Sequence, residues 1–249
     1  MTGPVIALED VRVVYGGGLL RRRTTEAVRG VTLSVAPGET LGLVGESGSG
    51  KTTVGRVRLG LLPPTSGDVT FLGAPFGRAR GRRGALSVVL RRPEWALNPR
   101  LTCGASVGEP LAILGRSRGR AEAVARMLER VGLDPALARR YPGELSGGQR
   151  QRMAIARALI TEPRFIVFDE AVSALDVSVQ AQVLNLIRDV QAAHGFGALF
   201  ISRDLAATRY ACRRIAVMRR GEIVEVGPVE RFYAEPETAH ARELMATVR

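Results

Sequence analysis

A glycine-rich stretch, GESGSGKTT at residues 45–53, constrains the fold of this chain more than any other feature. It fits the pattern G-x-x-x-x-G-K-[ST] and follows an apolar segment at 40–44, which predicts a strand. Glycines let the backbone turn tightly enough to point several N–H groups at one anion, and a helix start favours negative charge. We therefore predict a phosphate-binding loop that leads into a helix over 52–61. An ordinary glycine-rich turn is the alternative.

Two side chains of this loop carry the expected chemistry. Lys51 can reach the outer phosphates of a nucleotide, and Thr52 offers a hydroxyl oxygen to Mg²⁺, as in phosphate-loop NTPases. Lys51 is also the only lysine in the sequence, since every other basic residue is arginine. A compact ammonium rather than a planar guanidinium is thus indicated here. The loop residues expected to contact the nucleotide are Gly45, Glu46, Ser47, Gly48, Ser49, Gly50, Lys51, Thr52 and Thr53.

Composition narrows the classes of partner and compartment. The chain has 249 residues, 45% of them hydrophobic, which suffices for a sizeable core. The net charge is +12, but only 5% of residues are aromatic and the arginines are scattered, so we expect no nucleic-acid partner. Cys103 and Cys212 show neither metal-type spacing nor a disulfide framework, which favours a reducing compartment. Without a leader pattern or a run of about 18 apolar residues, neither export nor a membrane span is expected.

Alternating apolar residues predict short strands at 5–15, 31–35, 68–72 and 86–90, with a loose basic loop at 16–23. Tyr15 ends the first of these strands. Its ring could stack on an adenine, or it could be a half-buried strand residue, and spacing alone does not decide between the two.

The hydrophobic pattern becomes helical between residues 107 and 160, which predicts an inserted helical subdomain with a helix over 119–131. Near its end stands LSGGQ, which consists of Leu145, Ser146, Gly147, Gly148 and Gln149. Ser146 is well placed as the N-cap of a second helix. The apolar positions of this helix that are predicted to face a core are Met153, Ile155, Ala156 and Leu159. Such a helix start could bind a phosphate, or it could be only a capped helix.

An apolar segment at 165–168 predicts another strand, and it ends in two carboxylates. Asp169 is placed to hold Mg²⁺ through water, and Glu170 is placed to polarise an attacking water.

Together these motifs resemble the ATP-binding subunits of ABC transporters. GESGSGKT is similar to the Walker A motif, LSGGQ to the family signature, FIVFDE to the Walker B strand with its catalytic glutamate, and SALD at 173–176 to the D-loop. Their order and spacing match over essentially the whole chain. The segments LNPR at 97–100 and SALDVSVQAQVLNLIRDVQ at 173–191 are similar to the subfamily that imports peptides, nickel and related substrates.

The resemblance implies an α/β fold: a phosphate-loop NTPase (RecA-like) core with an antiparallel β subdomain and an inserted α-helical subdomain. We expect the nucleotide-binding core at 1–90 and 161–227. The helical signature subdomain is expected at 91–160, and a short C-terminal helical tail at 228–249.

The resemblance also implies ATP and Mg²⁺ as cofactors, with the metal held by Thr52 and Asp169 and catalysis assigned to Lys51 and Glu170. The implied partners are a second ABC ATPase subunit, two transmembrane permease subunits and, indirectly, an external solute-binding protein. The protein would then be peripheral, at the cytoplasmic face of the cell membrane. Members of the family have a groove for a coupling helix, here expected at 91–101. Trp95 and Leu97 would line it or would pack inside the helical subdomain.

Two positions depart from the subfamily pattern. Arg91 stands where a glutamine is usual, and Arg203 stands where a histidine is usual. Both family residues approach the γ-phosphate, and arginine coordinates no cation and does not deprotonate at working pH. Ala171 and Val172 also replace a usual proline and threonine after the glutamate, which is a milder change.

These departures lead to a hypothesis of asymmetry. In the family's dimer each ATP lies between the Walker motifs of one subunit and the signature of the other. We expect a heterodimer in which this chain's own site hydrolyses ATP slowly while its signature serves an intact partner site. Alternatively, Arg203 substitutes as the catalytic charge stabiliser. The other functions left open are an ATP-binding regulatory subunit with little or no hydrolysis and a non-transport ABC ATPase.

Overall fold

The computed structural model describes residues 3–16, 24–78 and 82–246. Most of the predicted basic loop at 16–23 and the last three residues of the predicted tail lie outside these ranges. The strands are β1 Ile6–Tyr15, β2 Thr25–Val35, β3 Thr40–Val44, β4 Ser66–Phe71, β5 Ala74–Pro75, β6 Leu86–Leu90, β7 Phe165–Asp169, β8 Gly197–Ile201, β9 Arg214–Arg219 and β10 Glu222–Pro228. The helices are α1 Lys51–Arg58, α2 Cys103–Ile113, α3 Arg120–Arg130, α4 Gly147–Leu159, α5 Val177–His194, α6 Leu205–Ala211, α7 Val229–Ala234 and α8 Ala239–Ala246.

The chain divides into two compact units. The first comprises Met1–Arg80 and Gly197–Arg249, and the second comprises Gly81–Phe196. The second unit therefore includes β6, β7 and α5 in addition to the helical insertion predicted at 91–160. The predicted subdomain boundaries stay a proposal.

The first unit contains the predicted antiparallel β subdomain, with strand order β2-β1-β4-β5. It also contains the strand that carries the phosphate loop. β3 lies between β8 and β9 and runs parallel to both, while β10 is antiparallel to β9. All five residues of β3 are buried, as expected of a parallel strand covered on both faces.

The strand predicted at 31–35 is longer than expected and begins at Thr25. Its pairing with β1 shifts register between Val31 and Val28, and Gly30 has a φ of 70°. A bulge of this kind interrupts the alternation of side chains, so the first half of the strand did not fit a period of two.

The helix predicted at 52–61 ends earlier than expected, at Arg58. Gly60 has a φ of 69°, the Gly60 N–H donates to the Val57 carbonyl, and the Leu61 N–H donates to the Arg56 carbonyl. This pair of bonds is a glycine-based helix stop, and it acts before the two prolines that the prediction relied on.

A fully buried arginine lies on α1. Arg58 is 0% exposed, and its Nη2 donates to the Leu33 carbonyl at 2.9 Å. Burial lowers the pKa of Arg58 to about 9, and the charge of Glu39 partly opposes that shift. Glu39 is itself paired with Arg214 at 2.8 Å. This buried charge was not predicted from the residue pattern.

The C-terminal helices α7 and α8 pack on the rest of the first unit. Phe232 and Ala241 share a buried cluster with Val44, Leu205 and Val217. The Glu225 carboxylate accepts bonds from the backbone and hydroxyl of Thr238, which ties the start of α8 to β10. Residues 229–234 and 239–246 of the predicted tail are helical, and the tail as a separate part of the chain stays a proposal.

In the second unit, β6 and β7 form a parallel pair, and α2, α3 and α4 pack on one another. No strand occurs between residues 107 and 160, all of which the structure describes, as predicted. The helix predicted at 119–131 is α3, which buries Val124, Met127 and Leu128. The four apolar positions predicted on α4 are buried as well. Within the described part of the chain, no helix combines the length and the apolar character needed to cross a membrane.

Candidate functional site

The phosphate loop lies at the carboxyl end of β3 and leads directly into α1. Lys51 is the first residue of α1 and is only 6% exposed. Its Nζ donates to the carbonyls of Gly45 and Glu46, both at 2.7 Å, and lies 3.3 Å from the Ser49 hydroxyl. The loop thus wraps around the ammonium and fixes its position at the start of the helix.

Two loop glycines are required by close backbone contacts. A Cβ at Gly45 would lie 2.1 Å from the Met218 carbonyl oxygen, and one at Gly50 would lie 2.4 Å from the Ala27 carbonyl oxygen. Both residues also have positive φ, at 150° and 110°. Any other residue at either position would displace the loop. In contrast, Glu46, Ser47 and Gly48 are exposed and are accessible to a ligand.

Tyr15 lies next to this loop. Its hydroxyl is 3.4 Å from the Thr53 hydroxyl, and the residue is 39% exposed. An exposed ring beside a phosphate loop can still receive a base, and the stacking of Tyr15 on an adenine stays a prediction.

Arg203 also reaches the loop. It follows β8, whose residues pair in register with β3, and its Nη2 lies 3.4 Å from the Ser47 hydroxyl oxygen. A permanent positive charge therefore stands beside the exposed part of the phosphate loop.

In the second unit, Asp169 and Glu170 lie at the carboxyl end of β7. Glu170 has a φ of 50°, which is uncommon for a residue other than glycine. The Ser173 N–H and hydroxyl both donate to the Glu170 carbonyl, at 3.1 and 2.9 Å. Ala171 and Val172, the two departures in this turn, are buried. Two bonds from Ser173 thus fix the turn that aims Glu170.

Arg91 is attached to Glu170. Leu90 pairs with Asp169 at the end of the parallel strands β6 and β7. The residues that follow the two strands, Arg91 and Glu170, are therefore neighbours. Arg91 Nη1 lies 3.3 Å from Glu170 Oε2, with side chains 54% and 15% exposed. This ion pair was not predicted from the sequence, because the register of two distant strands is not visible there.

The signature forms the start of α4, as predicted. The Ser146 hydroxyl accepts the Gln149 N–H at 3.2 Å, and the Gln149 side-chain oxygen accepts the Ser146 N–H at 2.9 Å. This reciprocal capping box rigidifies the helix start. The Ser146 hydroxyl hydrogen remains able to donate to an anion.

The two signature glycines have different surroundings. A Cβ at Gly148 would lie 2.7 Å from Val179 Cγ1, whereas one at Gly147 would meet nothing within 4 Å. Gly148 thus lets α4 pack closely on α5. The open space at Gly147 leaves backbone accessible at the helix N-terminus.

A groove of about 370 Å³ lies in the second unit beside α4, lined by Arg91, Arg92, Trp95, Arg150 and Leu175 among others. Trp95 is 71% exposed, and the guanidinium carbon of Arg92 lies 5.6 Å from its ring centroid. Leu97 is only 2% exposed, so it packs inside the unit rather than lining the groove.

The motif residues therefore gather at distinct places in the two units. In the first unit, Tyr15 and Arg203 both contact the phosphate loop. In the second unit, Arg91, Asp169 and Glu170 meet at the ends of two adjacent strands, and the signature caps α4. Such a set offers groups for phosphate binding and for activating a water.

Comparison with known proteins identifies the family. Residues 28–173 match the ABC transporter family. A glutathione import ATP-binding protein, GsiA of Pectobacterium atrosepticum, is 46% identical over 98% of this chain and 41% of its own length. A protein of Brucella abortus named "Putative peptide import ATP-binding protein" is 46% identical over 94% of this chain and 71% of its own length. The chain thus spans about two fifths of the first relative and about seven tenths of the second.

Solved structures of other proteins have the same fold. The ATP-binding cassette MJ0796, determined as a dimer in a post-hydrolysis state with ADP and Pi, is 28% identical, with a TM-score of 0.78 over 90% of this chain and 98% of that one. The cbiO1 protein of Clostridium perfringens, part of an ABC transporter complex, shares the fold with a TM-score of 0.82 over 93% of this chain and 91% of that one, at 24% identity. The predicted α/β phosphate-loop fold is thereby confirmed, and the chain belongs to the ABC transporter family.

Proposed function

We propose that this chain is the ATP-binding and ATP-hydrolysing subunit of an ABC importer. The observation that carries the proposal is the position of Lys51. Its ammonium is buried inside the glycine loop by two carbonyl oxygens at 2.7 Å, at the first residue of a helix. An ammonium, a helix N-terminus and a glycine-rich backbone all favour the same ligand, a chain of phosphates.

The nucleotide is proposed to bind along the first unit. The loop N–H groups and Lys51 would hold the phosphates, and the exposed Tyr15 ring would stack on the adenine. Thr52 and Asp169 would hold Mg²⁺, since a hydroxyl and a carboxylate are the oxygen donors that this ion prefers. Thr52 is exposed at the start of α1, which suits it to this role. When bound, Mg²⁺ neutralises charge on the phosphate oxygens.

Glu170 is proposed as the general base. Water attacks the γ-phosphorus and gives a proton to the Glu170 carboxylate. The bond from the γ-phosphorus to the bridging oxygen breaks, and ADP leaves with its electron pair. The fixed turn between Glu170 and Ser173 supports this role, because a base must be held in one direction relative to its water. Arg203, placed beside Ser47, would stabilise the charge on the phosphate oxygens that develops in this step.

The signature, residues 146–149, is proposed to serve the nucleotide of a second ABC ATPase subunit. Its capped helix start, with open space at Gly147, presents donors to an anion without any change of fold. We propose that this pairing is a heterodimer. This chain's own site would turn over slowly because Arg91 replaces the usual glutamine and because Arg203 supplies only part of the charge stabilisation of the usual histidine, while the partner's site would be intact.

Closure of the ATP-loaded dimer is proposed to drive two transmembrane permease subunits, which an external solute-binding protein supplies with cargo. The chain would then work at the cytoplasmic face of the membrane. The exposed Trp95 in its groove supports contact with a permease segment. Among the predicted cargoes, peptides, nickel and related small solutes, the names of the relatives favour peptides.

One observation favours a second candidate function, that of a regulatory subunit which binds ATP with little or no hydrolysis. The Arg91 guanidinium engages the only proposed base through an ion pair at 3.3 Å.

Two variants test the proposal and separate the candidates. Lys51→Ala should lose ATP binding by isothermal titration, because nothing else would replace its charge inside the loop. Glu170→Gln should keep ATP binding and lose single-turnover hydrolysis by about 100-fold or more. Unchanged affinity in Lys51→Ala would overturn the proposal. Equal, slow hydrolysis in wild type and Glu170→Gln would instead favour the regulatory subunit. The same glutamine substitution in the partner subunit should abolish most turnover of the pair; if only the substitution in this chain does so, the proposed asymmetry is wrong.

A further inference from the structure

The ion pair between Arg91 and Glu170 follows directly from strand register. β6 and β7 are parallel neighbours, and five successive residue pairs lock their register from Leu86 with Phe165 to Leu90 with Asp169. Side chains of the next two residues leave the same edge of the sheet. Arg91 and Glu170 are thus adjacent whatever happens in the loops that follow, and their charged atoms lie 3.3 Å apart.

The two partners differ in freedom. Glu170 is 15% exposed, and its backbone is held at positive φ by the bonds from Ser173, so its carboxylate has few directions available. The Arg91 side chain is 54% exposed, and it also lines the groove that contains Trp95. The carboxylate is therefore the fixed partner, and the guanidinium is the one that can move away.

We propose that Arg91 is a positioning residue that holds the Glu170 carboxylate and slows hydrolysis in this chain's own site. A carboxylate that is held in an ion pair with a guanidinium at 3.3 Å must leave that partner before it can face a water and take its proton. The effect falls on the chemical step and not on ATP affinity, since the contact involves no residue of the phosphate loop. The inference rests on the proposed function of Glu170 as the base.

Arg91 and Arg203 therefore act differently, although both depart from the family pattern. Arg203 contacts Ser47 of the phosphate loop, where a positive charge faces phosphate oxygens. Arg91 contacts the base. Removing Arg203 should slow hydrolysis, and removing Arg91 should speed it up.

The test measures kcat and KM for ATP, with Mg²⁺, in the purified complex of this chain with its partner ATPase subunit, in which the partner's own catalytic glutamate is replaced by glutamine. Arg91→Met keeps an unbranched stem and removes the charge, and it should raise kcat about tenfold, which corresponds to about 1.4 kcal/mol. KM should change less than about twofold, since the substitution removes no contact that binds ATP. Arg91→Lys should stay close to wild type, because an ammonium can still pair with the carboxylate. Arg126→Met removes an exposed arginine from α3 of the same unit and should change neither constant.

A double variant shows whether the gain passes through the carboxylate. In a Glu170→Gln background, Arg91→Met should produce no gain, because the neutral amide does not pair as an anion. A gain that persists there, or an unchanged kcat in Arg91→Met alone, would overturn the inference. If wild type hydrolyses ATP through Glu170 and Arg91→Met is no faster, only this inference fails. If Glu170→Gln leaves the wild-type rate unaltered, the proposed role of Glu170 fails and this inference falls with it.

Discussion

The hydroxyl groups of Tyr15 and Thr53 lie 3.4 Å apart, so the last residue of β1 touches the last residue of the phosphate loop. The tyrosine ring nevertheless remains 39% exposed. An aromatic face held beside a phosphate site at this exposure is suited to stack on the base of the same nucleotide.

Replacing Tyr15 by alanine should weaken ATP binding by about tenfold, because stacking of a base on an aromatic ring contributes about 1–3 kcal/mol. Tyr15→Phe keeps the ring and should bind ATP nearly as well as wild type. Inorganic triphosphate has no base, so titration with it reports whether the substitution disturbs the phosphate loop itself. If Tyr15→Ala weakens triphosphate binding as much as ATP binding, the residue supports the loop and does not contact the base.

The packing of α4 on α5 gives a prediction about stability. Gly148→Ala places a methyl group 2.7 Å from Val179 Cγ1, and it should lower the free energy of unfolding by about 1–3 kcal/mol. The double variant Gly148→Ala with Val179→Ala should recover most of this loss relative to Val179→Ala alone, because the colliding methyl group is gone. Gly147→Ala, which meets no atom within 4 Å, is the matched control and should stay within about 0.5 kcal/mol of wild type. Chemical denaturation measures all four, and a Gly148→Ala protein as stable as wild type would contradict the packing argument.

Arg203 provides a prediction about catalysis. Arg203→Ala should lower kcat of this chain's own site by about tenfold to 100-fold, since a cation beside the phosphate loop stabilises charge in the transition state. Arg203→Lys should retain part of the rate. Pre-steady-state hydrolysis in a single turnover separates this effect from product release. A kcat that is unchanged in Arg203→Ala would show that the arginine only fills the position of the usual histidine.

The buried Arg58 gives a prediction about pH. Burial lowers its pKa to about 9, below the value in the unfolded chain, so the unfolded chain binds the proton more strongly. The charge therefore costs stability fully below pH 9, and the cost declines as the pH rises through that value. Arg58→Met should be as stable as wild type or more stable by about 1–4 kcal/mol at pH 7, because Glu39 keeps Arg214 as its partner.

The size of this effect is checked by urea unfolding of wild type, Arg58→Met and Arg58→Ala at several pH values. The advantage of Arg58→Met over wild type should shrink above about pH 9. Arg58→Ala should be about 2–5 kcal/mol less stable than Arg58→Met, since both remove the charge but alanine also leaves a cavity. An Arg58→Met protein that is several kcal/mol less stable than wild type at pH 7 would mean that the bond to Leu33 outweighs the cost of burial.

The motifs could be predicted from the sequence because each is a local pattern. The phosphate loop follows a short buried strand, the capping box lies within four residues, and Asp169 ends an apolar run. Such features are set by neighbouring residues, so the strand at 40–44 and the helix start at Ser146 appeared where expected.

The remaining features depend on residues that are far apart in the chain. The ion pair of Arg91 with Glu170 requires the register of β6 and β7, which are separated by the helical insertion. Arg58 is buried under Leu33 because of packing, although its residue type favours exposure. Leu97 and Trp95 are two residues apart, yet one is 2% and the other 71% exposed. The bulge at Gly30 in β2 likewise interrupts the alternation of side chains, so the first half of that strand was not predicted.

Arg91 belongs to two surfaces at once, since it touches Glu170 and also forms part of the wall beside Trp95. A docked segment that carries a carboxylate could pair with the Arg91 guanidinium and so release Glu170 from it. Occupancy of the groove and the rate of ATP hydrolysis would then both depend on the position of this one side chain.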